Sequence, residues 1–244
     1  MTALPLVDAV PQVPGYPRPL RSVHQVEVTS FCNLRCSYCP SPKLEQHRGQ
    51  AKQHMTLDTL DQALEWVRIF SRAGTQGELS LTGIGETLLH PEWRELVRMA
   101  REALPGGFLN FSTNGLLLDD DACRFLAEQG CMVFISLHRP EKAGRAVEHA
   151  KRHGILANVN ASAAISSFDW GGLVDWHVSA PASPCEWLRQ GWCNVLVDGR
   201  VTRCCLDAAG VGVFATLDDD PSTLSTSPFS MCGPCHQVVV EPTE

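Results

Sequence analysis

Positive charge is in short supply in this sequence: the 244 residues carry a formal net charge of −7. No global field therefore draws the chain to nucleic acid. No apolar run reaches the length of a membrane span. The start lacks the basic-then-apolar pattern of a secretory signal, so the expected location is the cytoplasm, with no membrane partner. Nor are apolar residues scarce. Hydrophobics make up 44% and charged residues 19%, which excludes a disordered chain. What abounds is cysteine, with eleven residues. In a reducing compartment so many thiols point to metal rather than disulfides. The length suits one sizeable domain, or a domain with a small appendage.

Three of the thiols lie in one stretch, Cys32-Asn33-Leu34-Arg35-Cys36-Ser37-Tyr38-Cys39. A triad this tight falls short of the four ligands of a structural zinc. It suits a cubane iron–sulfur cluster, with three irons held by cysteine and the fourth left open. A zinc site completed by a distant ligand, or plain structural thiols, are the alternatives.

Residues 1–22 carry Pro5, Pro11, Pro14, Pro17 and Pro19 and read as an extended arm. Strands are expected at residues 24–30, 78–81, 108–112, 132–137 and 155–161, with a sixth at 173–178. Helices fall between them. Thr56 caps one whose apolar face is Leu57, Leu60, Leu64, Val67 and Phe70. Pro91 opens the next, with Glu92 and Glu95 in its first turn. A third spans 119–129 and is closed by Gly130, and a fourth spans 140–153. Alternating strands and helices imply βαβ units and a parallel sheet. Polar clusters follow the strands: the cysteine loop, Thr82-Gly83-Ile84-Gly85-Glu86, Ser112-Thr113-Asn114-Gly115 and Ser136-Leu137-His138-Arg139. Asn158, Asn160 and Ser162 lie on or just past the fifth. All sit at carboxyl ends of strands, the face where parallel α/β folds bind ligands. Together they describe one site.

The cysteine motif and these loops, roughly residues 25–162, resemble the radical S-adenosylmethionine (SAM) enzymes. The resemblance implies an α/β fold, a partial (β/α)6 TIM-like barrel. It implies a 4Fe-4S cluster on Cys32, Cys36 and Cys39, whose open iron takes the amino and carboxylate groups of SAM, with Tyr38 against the adenine. Gly83-Ile84-Gly85-Glu86 is similar to the family's Gly-Gly-Glu region, where flexible backbone admits the amino group and the glutamate accepts its hydrogen bond. Thr87 stands where many relatives have proline. Ser112, Thr113 and Asn114 resemble the segment beside the SAM ribose and carboxylate, and Ser136 a serine that also reaches SAM. By this likeness an external reductant of flavodoxin or ferredoxin type passes one electron to the cluster. SAM is split to methionine and a deoxyadenosyl radical, which takes hydrogen from the substrate.

The last third holds Cys185, Cys193, Cys204, Cys205, Cys232 and Cys235. Residues 194–197 and 200–203, joined by Asp198-Gly199, read as a β-hairpin with a two-residue turn. The segment resembles the SPASM appendage or its shorter twitch form. That implies a second 4Fe-4S cluster on Cys185, Cys204, Cys232 and Cys235, with Cys193 and Cys205 as spares; a zinc ribbon is the alternative. Cys232-Gly233-Pro234-Cys235 is also a thioredoxin-type tetrapeptide, but no helix-bearing frame fits after it. Cys123 and Cys131 read as buried thiols. The expected division is an arm at 1–22, a barrel at 23–180 and a twitch-like cluster unit at 181–244.

Substrate candidates are His138, Arg139 and Asn160, with Asp169, Trp170, Asp175, His177 and Asp207 behind them. A loop with Lys43, His47, Arg48, Lys52 and His54 against Glu45 either meets phosphates or an acidic substrate, or is simply solvated. The favoured activity is dehydrogenation of a small polar intermediate, with the second cluster accepting the electron. The chain resembles deoxy-scyllo-inosamine dehydrogenases in size and layout. Alternatives are a radical SAM isomerase of an amino-acid-modified nucleotide in hypermodified DNA, a peptide maturase, and a zinc module without turnover. A mere zinc module has no need of Glu86 and its glycines.

Overall fold

The sheet that carries the molecule begins at β1 (Ser22–Val26) and runs through β2 (Glu78–Ser80), β3 (Phe108–Thr113), β4 (Cys131–Leu137) and β5 (Leu156–Ala161). A computed structural model describes residues 13–161, 170, 173–174, 183–233, 235 and 237–238. β1 to β5 pair in parallel, each beside its predecessor. Right-handed crossovers repeated in one direction leave the helices on one face and curl the sheet into a partial barrel. Side chains such as Val23, Leu79, Leu109, Phe111, Val133 and Ile135 are wholly buried, as strands covered on both faces require.

The helices are α1 (Leu44–Arg48), α2 (Leu57–Arg72), α3 (Trp93–Ala103), α4 (Asp120–Glu128), α5 (Pro140–Arg152) and α6 (Glu186–Gln190). Thr56 Oγ1 accepts from the Thr59 N–H at 3.1 Å, and the Asp119 carboxylate from the Ala122 N–H at 2.8 Å. Each satisfies one of the orphan amides of a helix start. α3 begins two residues later than Pro91 suggests. The Trp93 N–H bonds the His90 carbonyl, so Pro91 and Glu92 are spent on a turn. No helix among the described residues is long and apolar enough to cross a membrane.

The C-terminal hairpin departs from expectation in two ways. Its strands are β6 (Trp192–Val195) and β7 (Arg200–Thr202). The Leu196 N–H bonds the Arg200 carbonyl, which makes the loop three residues, 197–199, with Gly199 at φ +84°. A left-handed glycine after a turn is what a three-residue hairpin loop uses. Moreover, β6 pairs in parallel with β1, so the hairpin extends the barrel sheet. β8 (Val213–Thr216) then pairs with β7, giving the order β8-β7-β6-β1-β2-β3-β4-β5. The expected strand at 173–178 lies mostly outside the described residues; Leu173 itself is in a turn. Of the arm, residues 1–12 lie outside them as well, while Arg18–Pro19 pairs antiparallel with Ser225–Thr226.

Candidate active site

The carboxyl ends of the strands surround a cavity of about 310 Å³, a size that small-molecule sites occupy. Cys32, Cys36, Tyr38, Cys39, Gly83, Gly85 and Glu86 line it, as do Ser112, Thr113, Asn114, Ser136 and His138. Trp170 and Asp207 also reach it. Arg139 is exposed just before α5 and Asn160 is half-buried opposite Ser136; neither belongs to the lining. Asp169, Asp175 and His177 lie outside the described residues.

Glu86 is only 2% exposed. Its carboxylate accepts from Thr113 Oγ1 at 2.9 Å, the Asn114 N–H at 2.8 Å and the Leu88 N–H at 3.3 Å. All three donors are neutral, and among the described residues it forms no ion pair. Burial pushes its pKa up, against the pull of those hydrogen bonds. A cation brought into the cavity would relieve that penalty. The flanking glycines have a packing cause. A Cβ on Gly83 would stand 2.2 Å from the Glu27 side chain, and one on Gly85 2.1 Å from the Thr29 carbonyl. They let the loop after β2 lie against the end of β1.

The three motif thiols are half-buried and free of disulfide. Burial pushes Cys39 up to about 12 and raises Cys32 too. Thiols held protonated in this way yield their protons to a metal that binds them. Among the described residues no three His, Cys, Asp or Glu side chains gather round a single ion-sized point. Three soft sulfurs lining one cavity are a donor set that suits a cubane with one iron left open. Tyr38 is hydrogen-bonded to His138 Nδ1, and its carbonyl accepts the Trp170 indole N–H at 3.1 Å. Trp170 has a φ of +53°, an uncommon conformation for a bulky residue and one concentrated at functional sites.

Several polar contacts around the cavity were not legible in the sequence. Glu27, on the chain leaving β1, is bridged to Arg48 at 2.8 Å, with side chains 1% and 3% exposed. Glu27 also accepts from the Val197 and Ile84 N–H groups, and Arg48 Nε donates to the Ala208 carbonyl. Arg48 is therefore neither solvated nor free for a phosphate, as the basic-loop readings had it. Asn33 Oδ1, inside the cysteine motif, accepts from Asn114 Nδ2 at 2.7 Å and ties two loops together. A small apolar cluster of Leu44, Ile84, Leu173, Ala208 and Ala209, with Cys39 and Trp170 against it, is separate from the main core.

Cys204 raises the pKa of Cys185, and Cys204 and Cys185 raise that of Cys232, though burial is the larger cause for both. For Cys204 the hydrogen bond with Cys205 comes first. Cys235 is half-buried. Cys193 belongs to the main hydrophobic core, whereas Cys205 faces the cavity. Cys123 and Cys131 are buried in the core.

A family model described as Radical SAM superfamily matches residues 26–161. The tungsten-containing aldehyde ferredoxin oxidoreductase cofactor-modifying protein of Pyrococcus furiosus is 34% identical over 113 residues, 46% of this chain and 29% of its own. The GTP 3',8-cyclase of Aquifex aeolicus is 30% identical over 145 residues, 58% of this chain and 43% of its own. The chain thus spans less than half the length of these relatives. Among solved structures, BtrN in complex with AdoMet and 2-DOIA is similar, with TM-score 0.66 and 21% identity. That match covers 83% of this chain and 80% of BtrN.

Proposed function

We propose, because the chain belongs to the radical SAM superfamily, that the cavity at its strand ends is where SAM and substrate meet. Members are enzymes that use a 4Fe-4S cluster and SAM. When bound and given one electron by an external reductant, that pair supplies a deoxyadenosyl radical able to take hydrogen from a substrate. Cys32, Cys36 and Cys39 hold the cluster. Glu86 receives the SAM ammonium, and Tyr38, Gly83, Gly85, Ser112, Asn114 and Ser136 flank the rest of the molecule. The observation that carries this reading is Glu86: a buried carboxylate with only neutral donors, in the same cavity as the three thiols.

The barrel unit spans residues 23–180 and a twitch-like unit spans 181–244, its hairpin continuing the barrel sheet. In the second unit Cys185, Cys204, Cys232 and Cys235 hold a second 4Fe-4S cluster. The influence of Cys204 on Cys185, and of both on Cys232, supports that set. The reaction is dehydrogenation of a small polar intermediate; BtrN, which shares the fold, is solved with AdoMet and 2-DOIA bound, in keeping with a small-molecule substrate. Redox-neutral rearrangement of a nucleotide is the second reading, favoured by the GTP 3',8-cyclase relative.

Anaerobic reconstitution tests the class. The chain should bind about eight irons and eight sulfides, and Cys32, Cys36 and Cys39 changed to alanine should leave about half. With a strong reductant the intact protein should turn SAM into 5'-deoxyadenosine and methionine. A colourless protein with stoichiometric zinc would overturn the proposal.

A further inference from the structure

The inner face of the barrel carries a row of polar side chains where branched aliphatics normally fill the layers. Register sets Asn194 of β6 beside Gln25 of β1, Gln25 beside Ser80 of β2, and Ser80 beside Asn110 of β3. Two of the row are bonded within the protein. Asn110 Nδ2 donates to Glu78 Oε1 at 2.9 Å, and Ser80 Oγ to Thr82 Oγ1 at 2.9 Å. Asn194 differs. It is 3% exposed, it lines the cavity, and its Oδ1 has no hydrogen-bond partner. A buried acceptor left unmet is rare in a native fold and marks a place kept for something else. Gln25, half-buried, lines the cavity next to it.

The charges nearby are already used. Arg48, the one arginine or lysine among the described lining residues, is held by Glu27 and the Ala208 carbonyl. The Asp207 carboxylate accepts from Thr202 Oγ1 and from the Val211 and Gly212 N–H groups. Arg48 Nη2 makes no hydrogen bond of its own, but its charge is met by Glu27 at 2.8 Å, so this side of the cavity offers an anion no unpaired cation and a cation no free carboxylate. It offers an amide oxygen that lacks a donor.

We propose that Asn194, with Gln25 beside it, is the substrate-recognition pair, and that the group it receives is an uncharged hydroxyl or N–H donor rather than a phosphate or carboxylate. This rests on the reading of the cavity as the site where SAM and substrate meet. The donor hydrogen-bonds to Asn194 Oδ1 and fixes the substrate's orientation.

The test uses the reconstituted holoenzyme with Asn194→Leu and Asn194→Asp. Substrate-free, Asn194→Leu should melt at or above the wild-type temperature, because an apolar group replaces an unmet acceptor. A structural role would lower the melting temperature by several degrees and overturn the proposal. SAM affinity should be unchanged in both variants; a matching loss would assign Asn194 to the SAM site instead. The probes, in the presence of SAM, are myo-inositol and uridine against their phosphate monoesters. At least one neutral probe should bind the wild type, weaken about tenfold or more in Asn194→Leu and be retained by Asn194→Asp, which still accepts. Tighter binding of the esters, no binding of either neutral probe, or wild-type affinity in Asn194→Leu would each refute it. A wild type that neither binds nor cleaves SAM instead refutes the proposed function, so the two failures are distinct.

Discussion

Glu86 and Glu27 are both buried, both raised in pKa by burial, and both on one cavity, yet their charges are met differently. Glu27 has Arg48; Glu86 has neutral donors alone. Glu86→Gln should therefore keep the iron while weakening SAM binding by about 1.5–3 kcal/mol, the worth of a hydrogen bond to a charged group. Equilibrium dialysis against labelled SAM measures it, and an unchanged affinity would mean that the ammonium binds elsewhere. For the ion pair, Arg48→Met should cost about 3–5 kcal/mol in a denaturant titration, because it strands a buried carboxylate. Adding Glu27→Gln should recover most of that loss; a double variant as unstable as the single would show that Arg48 acts through packing instead. Glu86 was legible because a glycine motif surrounds it. The Glu27–Arg48 bridge was not: Arg48 sits among loop charges, and nothing local says that one of them is swallowed by a strand end.

At the scale of elements, β1 is the hinge between what was legible and what was not. Helical periodicity, the cap Thr56 and the closing Gly130 located α2 and α4 within a residue or so, because those signals are local. That β6 would become the parallel neighbour of β1 has no local signal, since partner choice is made by tertiary packing. Its consequence shows at His24, which stacks on Trp192 at 3.9 Å between centroids and meets Trp187 edge-on at 5.1 Å. Burial holds the His24 pKa below its usual 6.5, with Glu78 pulling the other way. The folded chain thus takes up the proton less readily than the unfolded one. Stability is present in full above about pH 6.5 and is lost as pH falls through that value toward the folded pKa. His24→Phe, which keeps a ring between the indoles, should flatten that part of the stability–pH curve. Melting temperatures from pH 7.5 to 5 check it; a slope that survives the substitution would assign the acid sensitivity to another group.

Across the molecule, the contacts that bind the C-terminal third to the barrel include the β1–β6 pair, Glu27 reaching the Val197 amide, Arg48 reaching the Ala208 carbonyl, and Ala208 and Ala209 in the cluster beside Cys39. A variant at the proposed second cluster can therefore act through these contacts as well as through its metal, so its cysteines should be told apart by iron first and product second. Cys193 lies in the main core, so Cys193→Ala should lower stability through a small cavity and leave the iron count alone. Cys204→Ala should remove about four irons, one cubane's worth. The reverse pattern would show that the hairpin cysteines are assigned the wrong way round. The iron-depleted variant then separates the two proposed reactions. If the substrate radical gives up an electron to the second cluster, Cys204→Ala should still cleave SAM but form no oxidised product. If the reaction is a rearrangement, a product of the substrate's own mass should persist, reduced only as far as the folded fraction falls, because metal binding is coupled to folding. Mass spectrometry of the product beside a melting curve of the same sample decides between them, and oxidised product from the Cys204 variant would remove the second cluster from the electron's path.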